Sequence, residues 1–180
     1  MNLPASRTAL LVIDVQRGLF DPAPFEAGPV IERINGLVAR ARAAGVPVVW
    51  VQHEEPDGLE AGSPAWQLHP DLAALDSDPR VCKREPDSFA DTGLQSLLAG
   101  RGIERLVVSG YASDCCVDAT TRGASSRGYA VTLAADAHTT HDQPEMTGGE
   151  IRARRTQALC ALEGGGPVQA VAAADIAFAT

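Results

Sequence analysis

Apolar residues in this chain fall into short unbroken runs, separated by stretches in which they recur at helical spacing. Thr8 to Val15 reads TALLVIDV, a continuous aliphatic run of the kind that forms a parallel strand covered on both faces. Val30 to Ala44 then carries Ile31, Ile34, Leu37, Val38 and Ala41 at helical spacing, with Gly45 and Pro47 as stop and restart. Further runs at Val46 to Gln52, Arg80 to Lys83, Ile103 to Ser109, Tyr129 to Ala134 and Val168 to Val171 read as strands. Helices are predicted between most of them, over Leu94 to Ala99, Asp114 to Arg127 and Glu150 to Leu162.

Strand and helix therefore alternate, which is the pattern of a doubly wound sheet. The expected class is α/β: a three-layer α/β/α domain with a six-stranded parallel sheet in the Rossmann-like order 3-2-1-4-5-6. His53 to Asp78 interrupts the rhythm with Pro56, Gly58, Gly62, Pro64 and Pro70, and reads as a long irregular excursion within one domain, not a linker between two. A chain of 180 residues suits one well-buried domain, expected to span residues 1–180.

Composition narrows the partners. The net charge is −8, so the attraction that drives non-specific binding to nucleic acid or to an anionic membrane is replaced by repulsion. No apolar run approaches the ~18 residues that span a bilayer, and Met1 to Arg7 lacks a basic segment leading into a long apolar one. A cytoplasmic location and a small-molecule substrate are expected. Cys82, Cys115, Cys116 and Cys160 match neither a zinc spacing nor a secreted disulfide scaffold, so reduced thiols are expected.

Three residues stand out chemically. Asp14 ends an apolar strand, where a carboxylate is costly unless paired or working; a turn or cap role is the plainer alternative. Cys116 lies near the start of a predicted helix, where the macrodipole and free N–H groups favour a thiolate and could hold an oxyanion; a buried structural cysteine is the alternative. Lys83 closes the run VCK, where an ammonium could steady both a thiolate and a carboxylate.

The three segments that hold them carry a family likeness. LLVIDVQRGLF, VCKREPDSFADTGL and GYASDCCVDATTRGA, in this order, resemble the motifs of the isochorismatase-like cysteine hydrolases, which include nicotinamidases and related amidohydrolases. The likeness runs over nearly the whole chain. It implies a catalytic set of Asp14, Lys83 and Cys116, with Cys116 chosen over Cys115 because the family's nucleophile stands directly before Val. It also implies a cis peptide between Tyr111 and Ala112, and an oxyanion hole from the backbone N–H groups of Ala112 and Cys116.

Departures refine the expectation. Ser113 stands where the family usually has Thr, keeping the hydroxyl. Nicotinamidases carry a metal-binding Asp two residues before a His, whereas here Val51 precedes His53; no metal and no cofactor are expected, although His53 and His69 could meet through the long loop. His138 and His141, after the fifth strand, are expected to cap a loop or meet another subunit. Leu19, His53, Trp66 and Tyr111 are expected around the substrate. Relatives of this type assemble as homodimers or homotetramers, and the same is expected here. The resemblance points to hydrolysis of the C–N bond of a small amide or carbamate-like substrate through an acyl-thioester. Vinyl-ether cleavage of the isochorismatase type, and a non-enzymatic ligand-binding or redox-sensing role for the Cys115–Cys116 pair, are the competing readings.

Overall fold

Continuous aliphatic runs become strands here because both of their faces are covered. A computed structural model describes residues 1–179; Thr180, the last residue of the expected domain, lies outside the described residues. The chain runs β1 (Asn2–Pro4), β2 (Thr8–Ile13), α1 (Ala27–Ala43), β3 (Val48–His53), β4 (Arg80–Lys83), α2 (Leu94–Ala99), β5 (Arg105–Tyr111), α3 (Cys116–Ser126), β6 (Ala130–Thr139), α4 (Gly148–Cys160), β7 (Val168–Val171) and β8 (Ala177–Ala179).

Every residue of β2 is buried. Its alternate side chains serve opposite layers: Leu10 and Val12 pack with Ile34, Leu37 and Val38 of α1, and Ala9, Leu11 and Ile13 with Leu94 of α2 and Val117 of α3. The six-stranded sheet has the order β4-β3-β2-β5-β6-β7, all parallel, which is the expected 3-2-1-4-5-6 counted from β2. Helix α1 covers one face, while α2, α3 and Leu159 of α4 cover the other. Thr147 and Glu150 form a reciprocal capping box at the start of α4, satisfying amide donors that a helix end leaves free.

Several boundaries differ from those expected. β2 stops at Ile13 because Asp14 takes a left-handed φ of 51°, turning the chain out of the sheet. β6 runs on to Thr139, past the aliphatic run, through a register shift opposite Val108 and Gly110. His138 is therefore a strand residue, and not the loop residue expected from DAHTTHD. β1 and β8 form a separate parallel pair, too short for any hydrophobic period to reveal.

The excursion after β3 is tied down over the carboxyl ends of the strands. His69 N–H donates to Val15 O at 2.9 Å, and the N–H groups of Arg17 and Gly18 donate to Gln67 O and Ala65 O at 2.9 Å each. Among the described residues no helix is long and apolar enough to cross a membrane.

Gly110 marks where β5 passes closest to β2. Its φ is +116°, and a Cβ there would sit 2.1 Å from Ile13 O, whereas Gly58, with φ +102°, has nothing within 4 Å. Gly110→Ala is expected to cost upward of about 3 kcal/mol, combining backbone strain with overpacking, and Gly58→Ala about 1 kcal/mol from strain alone. Equilibrium urea unfolding of both variants checks this; equal losses would remove the close approach as the cause.

Candidate active site

Parallel strands end on the same edge of the sheet, and open α/β sheets bind ligands beyond that edge. Asp14 follows β2 directly, with its own N–H on Val51 O at 2.9 Å. Lys83 is the last residue of β4, in register with His53 at the end of β3. Cys116 is the first residue of α3, entered from β5.

These residues meet at one ammonium group. Lys83 Nζ lies 2.8 Å from Asp14 Oδ2, 3.2 Å from Cys116 Sγ and 3.2 Å from His53 Nδ1. An ammonium has only donors, so Nδ1 of His53 is necessarily an acceptor; the Asp14 contact is an ion pair, and among the described residues neither Asp14 carboxylate oxygen has a hydrogen-bond partner of good geometry. The Lys83 and Asp14 side chains are 0% and 1% exposed. A charge pair so far from water is costly to assemble and harmful to break on one side.

The electrostatics follow from burial. Desolvation pushes the Asp14 carboxyl up, opposed chiefly by Lys83. Lys83 is pulled down by burial but ends above its ordinary value, because Asp14 and Cys116 favour the ammonium. Burial, followed by Lys83, lowers His53, in keeping with a neutral ring that accepts from the lysine. The Cys116 thiol is raised, first by burial and then by the Asp14 charge, against Lys83. Burial and the nearby carboxylate thus act against the thiolate that the start of α3 favours.

A cleft of about 360 Å³ is lined by Asp14, His53 and Cys116 together with Leu19, Leu59, Tyr111, Ala112 and the charged Glu55 and Arg84. Of the four residues expected around the substrate, Leu19, His53 and Tyr111 line this cleft and Trp66 is not among its lining residues. The Trp66 carbonyl accepts from Gln16 Nε2 and Gln52 Nε2 at 2.9 Å each, which anchors this stretch of the loop away from the cleft lining. His69 stays apart from His53 too, its Nδ1 accepting from Asp71 N–H at 3.3 Å and its ring 5.6 Å from that of Phe20.

Potential metal-ligating atoms of Asp14, His53 and Cys116 lie within 4.8 Å of one another. All three residues contact Lys83 Nζ, so the cation this donor set holds is the lysine's own. The Tyr111–Ala112 peptide is cis, as the resemblance implied. Ala112 O accepts from the N–H groups of Cys115 and Val117 at 3.1 and 3.0 Å, and among the described residues the Ala112 and Cys116 N–H groups have no backbone acceptor. All four cysteines are free.

Sequence reasoning passed over Gln16. Fully buried, it accepts from His53 N–H at 2.8 Å and donates to His53 O at 2.9 Å, so it fixes the backbone of the residue whose ring accepts from Lys83.

The isochorismatase domain family matches residues 8–161, and the chain belongs to that family. A streptothricin hydrolase of Streptomyces noursei is 44% identical over 140 residues, covering 76% of this chain and 51% of that protein. The chain thus spans about half the length of that relative. The ureidoacrylate amidohydrolase RutB of Methylorubrum extorquens is 35% identical over 188 residues, covering 82% of this chain and 76% of the relative. Among solved structures, an isochorismatase family protein superposes with a TM-score of 0.85 at 28% identity, over 93% of this chain and 99% of that one. Another, from Burkholderia thailandensis, gives 0.77 at 28% identity, over 97% and 96%.

Because the Asp14 charge helps hold the Cys116 thiol up, Asp14→Asn is expected to lower the thiol's pKa. Alkylation of Cys116 by iodoacetamide at pH 7 should then rise about tenfold, the effect of about one pKa unit. Peptide mass spectrometry separates Cys116 from the exposed Cys115. A rate unchanged or lowered in the variant would show that the carboxylate is not what keeps the thiol protonated.

Proposed function

We propose that this protein is a cysteine-dependent amidohydrolase acting on the C–N bond of a small amide or carbamate-like substrate. The observation that carries the reading is the Lys83 ammonium held between the Asp14 carboxylate and the Cys116 sulfur, both of which line a cleft. Relatives named as an amidohydrolase and as a streptothricin hydrolase support the same class.

Each group has one chemical task. Asp14 takes the thiol proton as Cys116 Sγ attacks the substrate carbonyl carbon, and Lys83 keeps the transferring charges near one fixed cation. The carbonyl oxygen becomes an oxyanion, received by the Ala112 and Cys116 N–H groups. As the C–N bond breaks, Asp14 returns its proton to the leaving nitrogen, giving ammonia or an amine and an acyl-thioester. Water then attacks the thioester, giving its proton to Asp14, and the acid leaves as Cys116 is re-protonated. Leu19, Leu59 and Tyr111 supply an apolar lining, and a cleft of this volume suits a small molecule.

Vinyl-ether cleavage needs no nucleophile, so the sulfur placed against Lys83 favours acyl transfer. The test is ammonia or amine release from a panel of primary amides, carbamates, ureido acids and streptothricin, with and without a chelator. Release that survives the chelator and falls at least about a thousandfold in Cys116→Ala, with folding retained, is the expected result. Lys83→Met should be comparably impaired. Wild-type turnover in Cys116→Ala would eliminate the nucleophile assignment.

A further inference from the structure

Ala112 carries only a methyl group, so the direction of its amide is set by its neighbours. Tyr111 and Ser113 flank it, and the segment 138–143 reaches both. Ser113 N–H donates to Thr139 O at 2.9 Å. Ser113 Oγ lies 2.8 Å from His138 Nδ1, and Tyr111 Oη lies 2.9 Å from His141 Nδ1. Asp114, the next residue, is held by Thr140 Oγ1 and Gln143 Nε2 at 2.7 Å each.

Hydrogen-bond directions can be assigned from the far ends of these chains. Thr156 Oγ1 donates to Arg152 O at 2.8 Å, so its hydroxyl proton is committed. It therefore accepts from His138 Nε2, 3.1 Å away, and the proton of the neutral His138 ring lies on Nε2. Nδ1 is left as an acceptor, to which the Ser113 hydroxyl donates. Burial pushes His138 down to about 3, so the ring stays neutral at working pH. On the other side, Pro22 O can only accept, and His141 Nε2 lies 2.8 Å from it. With the ring N–H on Nε2, Nδ1 is left to accept from the Tyr111 hydroxyl, which burial and then Asp114 push up to about 12 and so keep protonated.

We propose that His138 and His141 are positioning residues: each accepts a hydrogen bond from a hydroxyl, that of Ser113 and that of Tyr111; the hydroxyls keep their protons and only donate hydrogen bonds, and together the two histidines clamp the Ala112 amide toward the cleft from both sides. The clamp rests on the reading of Ala112 N–H as an oxyanion donor. His138 is anchored in turn through Thr156 of α4, so a helix remote from the cleft braces the donor. Neither histidine takes part in proton transfer, and both work through the residues beside Ala112. An amide displaced by about 1 Å loses much of its value to a developing oxyanion.

The decisive variants are conservative. Ser113→Ala should lower kcat about 10- to 100-fold with KM changed less than ~3-fold, since an oxyanion donor acts in the transition state. Ser113→Thr, which keeps the donor to His138, should return kcat to within about 3-fold of the wild type. The double variant Ser113→Ala/His138→Asn should be no slower than Ser113→Ala, because His138 acts through Ser113. A lowered melting temperature with unchanged kcat in Ser113→Ala would mean a purely structural role and overturn the proposal, as would additive losses in the double variant. Amide hydrogen exchange across residues 110–116 gives a readout that needs no substrate. It should quicken at least about tenfold in Ser113→Ala and stay unchanged in β2. If the wild type hydrolyses nothing, the amidohydrolase reading fails while exchange still judges the clamp; unaltered exchange overturns the clamp whatever the activity.

Discussion

The structure of the site depends on a single buried ammonium. Lys83 Nζ pairs with the Asp14 carboxylate and is in hydrogen-bond contact with Cys116 and His53. Any one of them removed would leave charge or donor unsatisfied in a medium where that is severe. Three separate pieces of chain must therefore end within hydrogen-bond reach of one point, and the strand order supplies this. β4, β3 and β2 are neighbours, so Lys83, His53 and Asp14 arrive side by side. Cys116 reaches the same point from β5, on the other flank of β2. The left-handed φ of Asp14 and the close passage of Gly110 over Ile13 are the local distortions that this convergence entails.

The opposite wall is built by different means. There the sheet contributes hydroxyls and imidazoles, and the polar continuation of β6 after Leu133 lies alongside the loop that leads into α3. Tyr111, Ser113 and Asp114 each have a partner between His138 and Gln143. One wall is thus organised by a buried ion pair and the other by hydrogen bonds of assigned direction. The division suits the proposed chemistry, in which charge is moved near Lys83 and an oxyanion is received near Ala112.

How much of this could be read from the chain depends on which force shapes each part. Burial on two faces leaves aliphatic runs, so β2, β3, β5 and the sheet order were legible, and the three motifs placed Asp14, Lys83 and Cys116 where the structure brings them together. Segments held by hydrogen bonds leave no such trace. β6 continues through Asp136, His138 and Thr139 because it is paired with β5 beyond a register shift, and no period-two pattern announces that. Gln16 looks like any polar residue after a strand, although it grips both backbone groups of His53. Trp66 was expected at the substrate because aromatic residues on long loops often are; two glutamines bind its carbonyl and hold it elsewhere. The β1–β8 pair is three residues per strand, below the length at which pattern carries meaning.

The raised thiol gives the site a resting state with a definite logic. A helix start alone would favour a thiolate, but burial and the Asp14 charge act the other way. Both oppose loss of the proton from sulfur, and Asp14 faces a single fixed cation. In the proposed mechanism, moving that proton to Asp14 is unfavourable without substrate, because it creates a desolvated thiolate. A carbonyl placed against the Ala112 and Cys116 amides would change the balance, since the negative charge would pass through sulfur to an oxygen that two N–H groups can receive. On that proposal the nucleophile is generated as it is consumed, and a substrate whose carbonyl reaches those donors offsets the cost of forming it.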